Sequence, residues 1–275
     1  MRSPLISAAE LQALLHAKTR AVTLLDVRYR MGGPGGPDEY AAGHLPGAAY
    51  VDLDADLASP PGAGGRHPLP EPAVFEAAMH RAGVRGDRPV VVYDDWSALA
   101  AGRAWWLLRF HGHGDVRVLD GGLAAWVAEG GELATGEVHP EPGDFTVSGE
   151  AGMPVVEADE VLAVDVLVDA RAAERYRGEV EPIDPVAGHI PGAVNVPTAR
   201  NLTPDGRFRP ADELRATYAG VGAVPGAEVA AYCGSGVTAV HDLLALEVAG
   251  VRAALYPGSW SGWITDPERP VESGA

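Results

Sequence analysis

The sequence repeats itself, and this repeat constrains the fold more than any other feature. Four short motifs of the first half recur in the second half in the same order. The matched pairs are residues 24–28 (LLDVR) with 167–171 (LVDAR), 42–48 (AGHLPGA) with 187–193 (AGHIPGA), 90–94 (VVVYD) with 229–233 (VAAYC), and 121–126 (GGLAAW) with 258–263 (GSWSGW). The 275 residues are therefore predicted to form two copies of one domain.

Within each half, short apolar runs alternate with segments of helical length. In the first half the predicted strands are Val22–Val27, Ala48–Val51, Pro89–Tyr93 and Val116–Leu119. The segment Glu71–Ala82 has helical apolar spacing and ends before Gly83. This rhythm predicts an α/β fold in which helices cover both faces of a parallel sheet.

The stretch between the two halves is rich in Gly, Pro and Glu and has weak periodicity. We therefore predict a first domain over residues 1–130, a linker over 131–153 and a second domain over 154–275.

The composition excludes several function classes. The formal net charge of −17 opposes binding to nucleic acid or to anionic membranes. No apolar run is long enough to span a bilayer, and the first residues do not resemble a secretion signal. A single cysteine rules out an intramolecular disulfide, so a reducing compartment, the cytoplasm, is expected. No cofactor motif is present, and the pair His111 and His113 is too small a set to predict a metal site.

The single cysteine, Cys233, lies between a predicted strand and a predicted helix in a glycine-rich turn. Backbone N–H groups and the positive end of a helix dipole at such a place favour a thiolate, which is the nucleophilic form. A lone cysteine is more often an inert buried residue. Gly234 and Gly236 favour the reactive alternative, because simple packing does not require a tightly curled backbone.

Together these motifs resemble the tandem-domain sulfurtransferases of the rhodanese superfamily, which comprise thiosulfate and 3-mercaptopyruvate sulfurtransferases. The resemblance spans nearly the whole chain. It implies two tandem rhodanese-like domains, each a mainly parallel sheet flanked by helices. It also implies that only the second domain is catalytic, because Asp94 occupies the position that matches Cys233 and an aspartate cannot carry a transferable sulfur.

The resemblance further implies a reaction in which sulfur from 3-mercaptopyruvate, or from thiosulfate, passes through a Cys233 persulfide to a thiol or cyanide. The expected acceptor is a small thiol or a thioredoxin-like protein. The loop type Cys-Gly-Ser-Gly-Val-Thr resembles the mercaptopyruvate branch, whereas the thiosulfate branch places Arg-Lys after the cysteine. Two alternatives stay open: a thiosulfate:cyanide sulfurtransferase, and a persulfide relay module that delivers sulfur to a protein partner.

The family's residue roles map onto defined positions of this sequence. The resemblance assigns proton transfer to Ser235, His67 and Asp54, although a short Gly/Pro-rich insertion changes the spacing between the last two. The substrate-binding set that it implies consists of Arg175 and the loop residues Gly234, Gly236, Val237, Thr238 and Ala239. Arg177 competes with Arg175 for the role of carboxylate anchor.

Other motifs are expected to be structural. Asp26 with Arg28, and Asp169 with Arg171, are predicted to pair at strand ends. His44 and His189 occupy matching Gly-His-x-Pro-Gly turns in both halves, including the half without a cysteine, so we expect them to hold the turns. A cysteine phosphatase would need an arginine six residues after the cysteine, where this sequence has Ala239.

Overall fold

A computed structural model describes residues 3–17 and 21–274 and divides the chain into two compact units. The first unit comprises Met1–Ala58, Pro70–Met153 and Asp205–Arg207. The second comprises Ser59–Leu69, Pro154–Pro204 and Phe208–Ala275. The Gly/Pro-rich insertion of the first half therefore clusters with the second unit, which the sequence did not predict.

The first unit is built on a parallel sheet. Its strands in the described part of the chain are β1 (Leu5–Ile6), β2 (Thr23–Asp26), β3 (Ala49–Tyr50), β4 (Val90–Tyr93) and β5 (Val116–Leu119). Its helices there are α1 (Ala8–Ala17), α2 (Gly36–Ala42), α3 (Leu53–Asp56), α4 (Pro72–Arg81), α5 (Ala101–Phe110) and α6 (Gly122–Ala128). Leu11 of α1, Val91 of β4 and Trp126 of α6 belong to one buried apolar cluster, which ties helices to the sheet.

The second unit is built in the same way. Its strands among the described residues are β6 (Val166–Asp169), β7 (Val194–Asn195), β8 (Val229–Tyr232) and β9 (Ala253–Leu255). Its helices are α7 (Ala173–Tyr176), α8 (Ala211–Ala219), α9 (Ala239–Ala249) and α10 (Ser259–Trp263), with a 3₁₀ helix at Thr198–Asn201. Leu167, Tyr232 and Trp260 share its buried core cluster.

The order of the strands confirms the duplication. The first sheet runs β1-β5-β4-β2-β3 and the second β7-β6-β8-β9, with every neighbouring pair parallel. Reversed, the second order reads β9-β8-β6-β7, which matches β5-β4-β2-β3 strand for strand. The predicted α/β class is confirmed. In such sheets ligands bind beyond the carboxyl ends of the strands, and Cys233 follows the interior strand β8 directly.

The Asp-x-Arg motif makes the same internal contacts in each of the two units. Arg28 donates from Nη2 to Asp26 Oδ2 at 2.7 Å, and Arg171 donates from Nη2 to Asp169 Oδ2 at 2.6 Å. Each arginine also donates to the carbonyl of the first glycine in the Gly-His-x-Pro-Gly turn. These buried pairs tie a strand end to a turn in both units, which confirms their predicted structural role.

The histidines of the two turns also occupy equivalent positions. His44 stacks on Tyr40 with ring centroids 4.1 Å apart, and His189 stacks on Tyr176 at 3.8 Å. Each Nδ1 lies within hydrogen-bond distance of the same tyrosine's carbonyl, at 2.9 and 2.7 Å. The prediction that these histidines hold the turns is confirmed.

Residues 131–153, the predicted linker, form no helix and pack along the first unit. Asp144 donates its N–H to the carbonyl of Val84 at 3.0 Å, and Gly152 donates to that of Phe110 at 2.8 Å. The exact domain limits stay a prediction. Within residues 3–17 and 21–274, no helix is both long and apolar enough to cross a bilayer.

Candidate active site

Cys233 is buried and fixed at the end of β8. Its side chain is 1% exposed. Its Sγ accepts the N–H of Gly236 at 3.2 Å and that of Ser235 at 3.5 Å. Its own N–H donates to Ser259 Oγ at 3.1 Å, and its carbonyl accepts the N–H of Trp260 at 2.9 Å. The sulfur therefore lies where backbone donors stabilise an anion.

Two glycines give the loop its shape for different reasons. Gly236 has a φ of +75°, and a Cβ there would lie 2.5 Å from the carbonyl oxygen of Pro257. Gly234 leaves room for the tip of the Arg66 side chain, because a Cβ there would lie 2.7 Å from Arg66 Nη2 and would displace it. The sequence predicts a tightly curled backbone at both glycines. The structure shows a left-handed φ at Gly236 and none at Gly234, where the glycine makes room for a side chain instead.

The other predicted loop residues continue into helix α9. Val237 is buried, Thr238 is half-buried and directly precedes the helix, and Ala239 is its first residue. All three therefore lie between the cysteine and the N-terminal end of α9.

Ser235 and His67 are in direct contact. Ser235 Oγ and His67 Nδ1 are 2.7 Å apart. The segment Ser59–Leu69 reaches this position by packing on α10: Arg66 donates its backbone N–H to Ser261 Oγ at 3.0 Å, and Ser261 donates its own N–H to the carbonyl of Gly234 at 2.9 Å. The structure thus brings a hydroxyl and an imidazole together beside the cysteine loop.

Asp54, the third residue of the predicted proton-transfer set, lies exposed on α3 of the first unit. The N-cap of that helix is Asp52, whose Oδ1 accepts the N–H groups of Asp54 and Ala55 at 2.9 Å. Asp54 therefore does not cap the helix, and its catalytic role stays a prediction.

The guanidinium of Arg175 lies against the cysteine loop. A Cβ on Gly234 would be 3.6 Å from Arg175 Nη1 and 3.7 Å from Nη2. Arg175 donates from Nε and Nη2 to the carboxylate of Glu181 at 3.1 and 2.7 Å, and from Nη2 to Asp184 Oδ2 at 3.2 Å. These acids hold the guanidinium in place.

Arg177, the other candidate for the carboxylate anchor, pairs with a different residue. Arg177 forms a bidentate pair with the exposed Glu179, at 2.8 Å for both hydrogen bonds. Of these two arginines, Arg175 has its guanidinium beside Gly234, whereas the guanidinium of Arg177 is held by Glu179.

Arg66 also lies beside the loop, and sequence reasoning missed it. Its Nη2 faces Gly234, and its Nη1 forms an ion pair with Asp184. Its Nε is buried and has no hydrogen-bond partner within the described residues. The one sequence signal was its position next to His67, but the Gly/Pro-rich insertion gave no reason to expect it beside Cys233.

Acidic and basic side chains alternate in a connected series that ends at the cysteine loop, which we call the charge series. In order its members are Asp169, Arg171, Glu181, Arg175, Asp184 and Arg66. Burial disfavours ionisation of Glu181, but hydrogen bonds from Arg175 and two backbone N–H groups hold its pKa below the usual value. Burial raises the pKa of Asp184 despite the opposing pull of Arg66. The series contains three arginines and three acids, so its formal charges sum to zero when all six groups are ionised.

In the matching loop of the first unit, the side chain of Asp94 occupies the backbone N–H donors. The carboxylate of Asp94 accepts backbone N–H groups at 2.8–2.9 Å, and their donors are Trp96, Ala98, Ala100 and Ala101. Complete burial raises the pKa of Asp94, whereas these N–H groups favour its ionised form. Because all of these neighbours are donors, the carboxylate satisfies them better than a protonated acid would.

No group of three or more His, Cys, Asp or Glu side chains that could hold a metal ion occurs among the residues described.

Comparisons with known proteins give one consistent family. The model for the rhodanese-like domain matches twice, at residues 7–129 and 156–266. SseB of Mycobacterium tuberculosis, named as a thiosulfate sulfurtransferase, is 48% identical over 98% of this chain and 97% of its own. A Pseudomonas aeruginosa protein named as a 3-mercaptopyruvate sulfurtransferase is 46% identical over 98% of both chains.

A solved structure agrees with these relatives. The crystal structure of the 3-mercaptopyruvate enzyme SseA from Escherichia coli superimposes with a TM-score of 0.81 at 34% identity, covering 94% of this chain and all of that chain (100%).

Proposed function

The chain belongs to the family of rhodanese-like domains, and from this we infer that it is a sulfurtransferase whose sulfur carrier is Cys233. The observation that carries the proposal is the sulfur of Cys233 held by loop N–H groups, with the guanidinium of Arg175 beside the same loop. We propose 3-mercaptopyruvate as the preferred donor and thiosulfate as a weaker one.

The first half-reaction loads the cysteine. The Cys233 thiolate attacks the sulfur of 3-mercaptopyruvate, so that a new S–S bond forms and the C–S bond breaks. The electron pair of that bond leaves with carbon as the enolate of pyruvate, which takes up a proton. With thiosulfate, the S–S bond of the donor breaks instead, and sulfite leaves with the electron pair.

The loop is suited to hold the resulting persulfide anion. In the first unit, backbone N–H groups of the matching loop bind both carboxylate oxygens of Asp94. The outer sulfur of a persulfide at Cys233 extends from Cβ in a similar way. We propose that the backbone amides from Gly234 to Ala239 bind it, which places oriented donors where negative charge develops.

Ser235, His67 and Asp54 are proposed to handle the proton. Ser235 Oγ and His67 Nδ1 are already at hydrogen-bond distance. The serine hydroxyl can therefore give its proton to the enolate and regain one from the imidazole. Arg175 is proposed to anchor the donor's carboxylate, because a guanidinium fork matches that group.

The second half-reaction unloads the cysteine. A thiolate or cyanide attacks the outer sulfur, and Cys233 leaves as the thiolate. We propose a small thiol or a thioredoxin-like protein as the acceptor, as a reducing compartment such as the cytoplasm would supply. We also propose that the second domain (154–275) carries the sulfur, while the first (1–130), joined by the 131–153 linker, carries none because it has Asp94.

The donor preference is the first test of this function. We expect kcat/KM for 3-mercaptopyruvate to exceed that for thiosulfate by roughly tenfold or more, equivalent to about 1.4 kcal/mol. The physical reason is that residues 233–239 carry no cation of their own, and the guanidinium groups beside the loop are already paired with Glu181 and Asp184, so little positive charge is left to meet a dianion. Parallel steady-state assays with cyanide as acceptor measure the ratio. A ratio that favours thiosulfate would contradict the proposed donor and support the thiosulfate:cyanide alternative.

The hydroxyl of Ser235 should affect turnover of 3-mercaptopyruvate but not turnover of thiosulfate. Ser235→Ala is expected to lower kcat with 3-mercaptopyruvate by roughly 10²-fold, the usual effect of losing a positioned proton donor. Thiosulfate turnover should change by less than about threefold, since sulfite leaves without a proton. Steady-state kinetics with both donors measure the split.

A suitable control is Ser59→Ala, which removes a hydroxyl from the segment that also carries His67. It should leave both rates near wild type. Equal losses with both donors in Ser235→Ala would show that the serine shapes the loop and does not deliver a proton.

A further inference from the structure

Two guanidinium groups converge on the residue that follows the nucleophile. Arg66 Nη2 and Arg175 Nη1 would lie 2.7 and 3.6 Å from a Cβ on Gly234. The loop from Cys233 to Ala239 has no charged side chain of its own. Positive charge beside Cys233 therefore comes from the segment Ser59–Leu69 and from α7.

Asp184 joins these two cations. It pairs with Nη1 of Arg66 and with Nη2 of Arg175, and its side chain is only 4% exposed. Arg66 itself is 25% exposed, and its buried Nε has no hydrogen-bond partner among the described residues. A buried N–H without an acceptor is unfavourable, so this guanidinium is poised to bind a further anion.

We propose that Arg66 and Arg175 form a paired clamp for the anionic group of the sulfur donor, and that Asp184 sets the clamp's net charge so that it favours a monoanionic donor over a dianionic one. This proposal rests on the proposed function, because it concerns the donor site of that reaction. Arg66 and Arg175 are binding residues, and Asp184 is a positioning residue that acts through them.

The charges of the clamp and its acids account for the proposed preference for a monoanionic donor. With Asp184 and Glu181 ionised, the two guanidinium groups are electrically balanced. A carboxylate such as that of mercaptopyruvate can still accept their N–H groups. Thiosulfate brings a second negative charge close to Asp184, and like charges in close contact are strongly disfavoured.

Removing the charge of Asp184 should therefore change the donor ratio. In Asp184→Asn, we expect kcat/KM for thiosulfate relative to mercaptopyruvate to rise about tenfold, as expected when a like-charge contact is removed. Glu179→Gln is the matched control, because it neutralises an exposed acid of the same region that pairs with Arg177. Its ratio should stay within about twofold of wild type.

Removing Arg66 should have the opposite effect. Arg66→Met is expected to raise KM for both donors, with the larger loss, about tenfold, for thiosulfate. Arg177→Met, which removes an exposed arginine from the end of α7, should leave both constants unchanged. Gly234→Ala gives a second route, since its Cβ must push the Arg66 guanidinium aside. In the Arg66→Met background, the same glycine change should cost little further activity, because the two changes act through one group.

Kinetics identical in Arg66→Met and Arg177→Met, or an unchanged donor ratio in Asp184→Asn, would overturn the clamp while the sulfurtransferase function stands. Failure of the wild type to transfer sulfur from either donor would instead refute the function. The clamp is then judged by the thermal shift that pyruvate or sulfate produces. A shift present in wild type and lost in Arg66→Met supports it, and equal shifts in both proteins overturn it.

Discussion

Replacing Cys233 with serine is expected to abolish sulfur transfer from both donors, with a loss of at least roughly 10³-fold. A serine hydroxyl is not ionised at neutral pH and cannot carry sulfur as a persulfide. The change is nearly isosteric, and the N–H and carbonyl of residue 233 keep their bonds to Ser259 and Trp260. Thiocyanate formation from cyanide measures the loss.

Circular dichroism and thermal unfolding of the same variant check that the loop has kept its structure. The sulfur atom packs in a buried site, so the variant should fold and unfold close to wild type. Activity within about tenfold of wild type in a folded Cys233→Ser protein would mean that the sulfur travels by another route.

Replacing Asp94 with alanine is expected to destabilise the first unit by about 4 kcal/mol, because each lost bond between a backbone N–H and a carboxylate contributes about 1 kcal/mol or more. The variant leaves the N–H groups of Trp96, Ala98, Ala100 and Ala101 without their acceptor in a buried loop. Asp94→Asn should lose about half as much, since its amide keeps one acceptor oxygen. Denaturant unfolding or calorimetry measures both.

The neighbouring Asp95→Ala is the matched control for this loop. Asp95 pairs with the half-exposed Arg30 at 2.5 Å and lies 4.0 Å from Nε of the buried Arg28, so its removal should cost less than the loss of the four N–H bonds to Asp94. Equal destabilisation by the Asp94 and Asp95 variants would show that the carboxylate of Asp94 does not hold the loop together.

Much of the fold was predictable because four motifs recur in the same order in both halves of the sequence. Matching motifs located β2, β4, β6 and β8, and the parallel α/β class followed from the alternation of apolar runs with helical segments. The equivalent contacts of Arg28 and Arg171 show why: both copies need the same buried pair to join strand and turn.

The part that could not be predicted depends on contacts distant in sequence. Arg66 pairs with Asp184 across 118 residues, and it lies in a Gly/Pro-rich stretch that carries no periodic signal. Nothing in that stretch indicates that it clusters with the second unit. Likewise, the sequence identified Asp94 as unable to carry sulfur, but only the structure shows that its carboxylate fills the loop's own donor set.

The most direct test of the central claim is the intact mass of the protein after a single turnover. The wild-type chain is mixed with one equivalent of 3-mercaptopyruvate and no acceptor, and released pyruvate is measured in parallel. The account predicts a mass gain of one sulfur atom on Cys233, matched by one pyruvate per chain, that disappears when cyanide is added and never forms in Cys233→Ser. Pyruvate released without added sulfur on Cys233, or sulfur found on the Cys233→Ser chain, would contradict it.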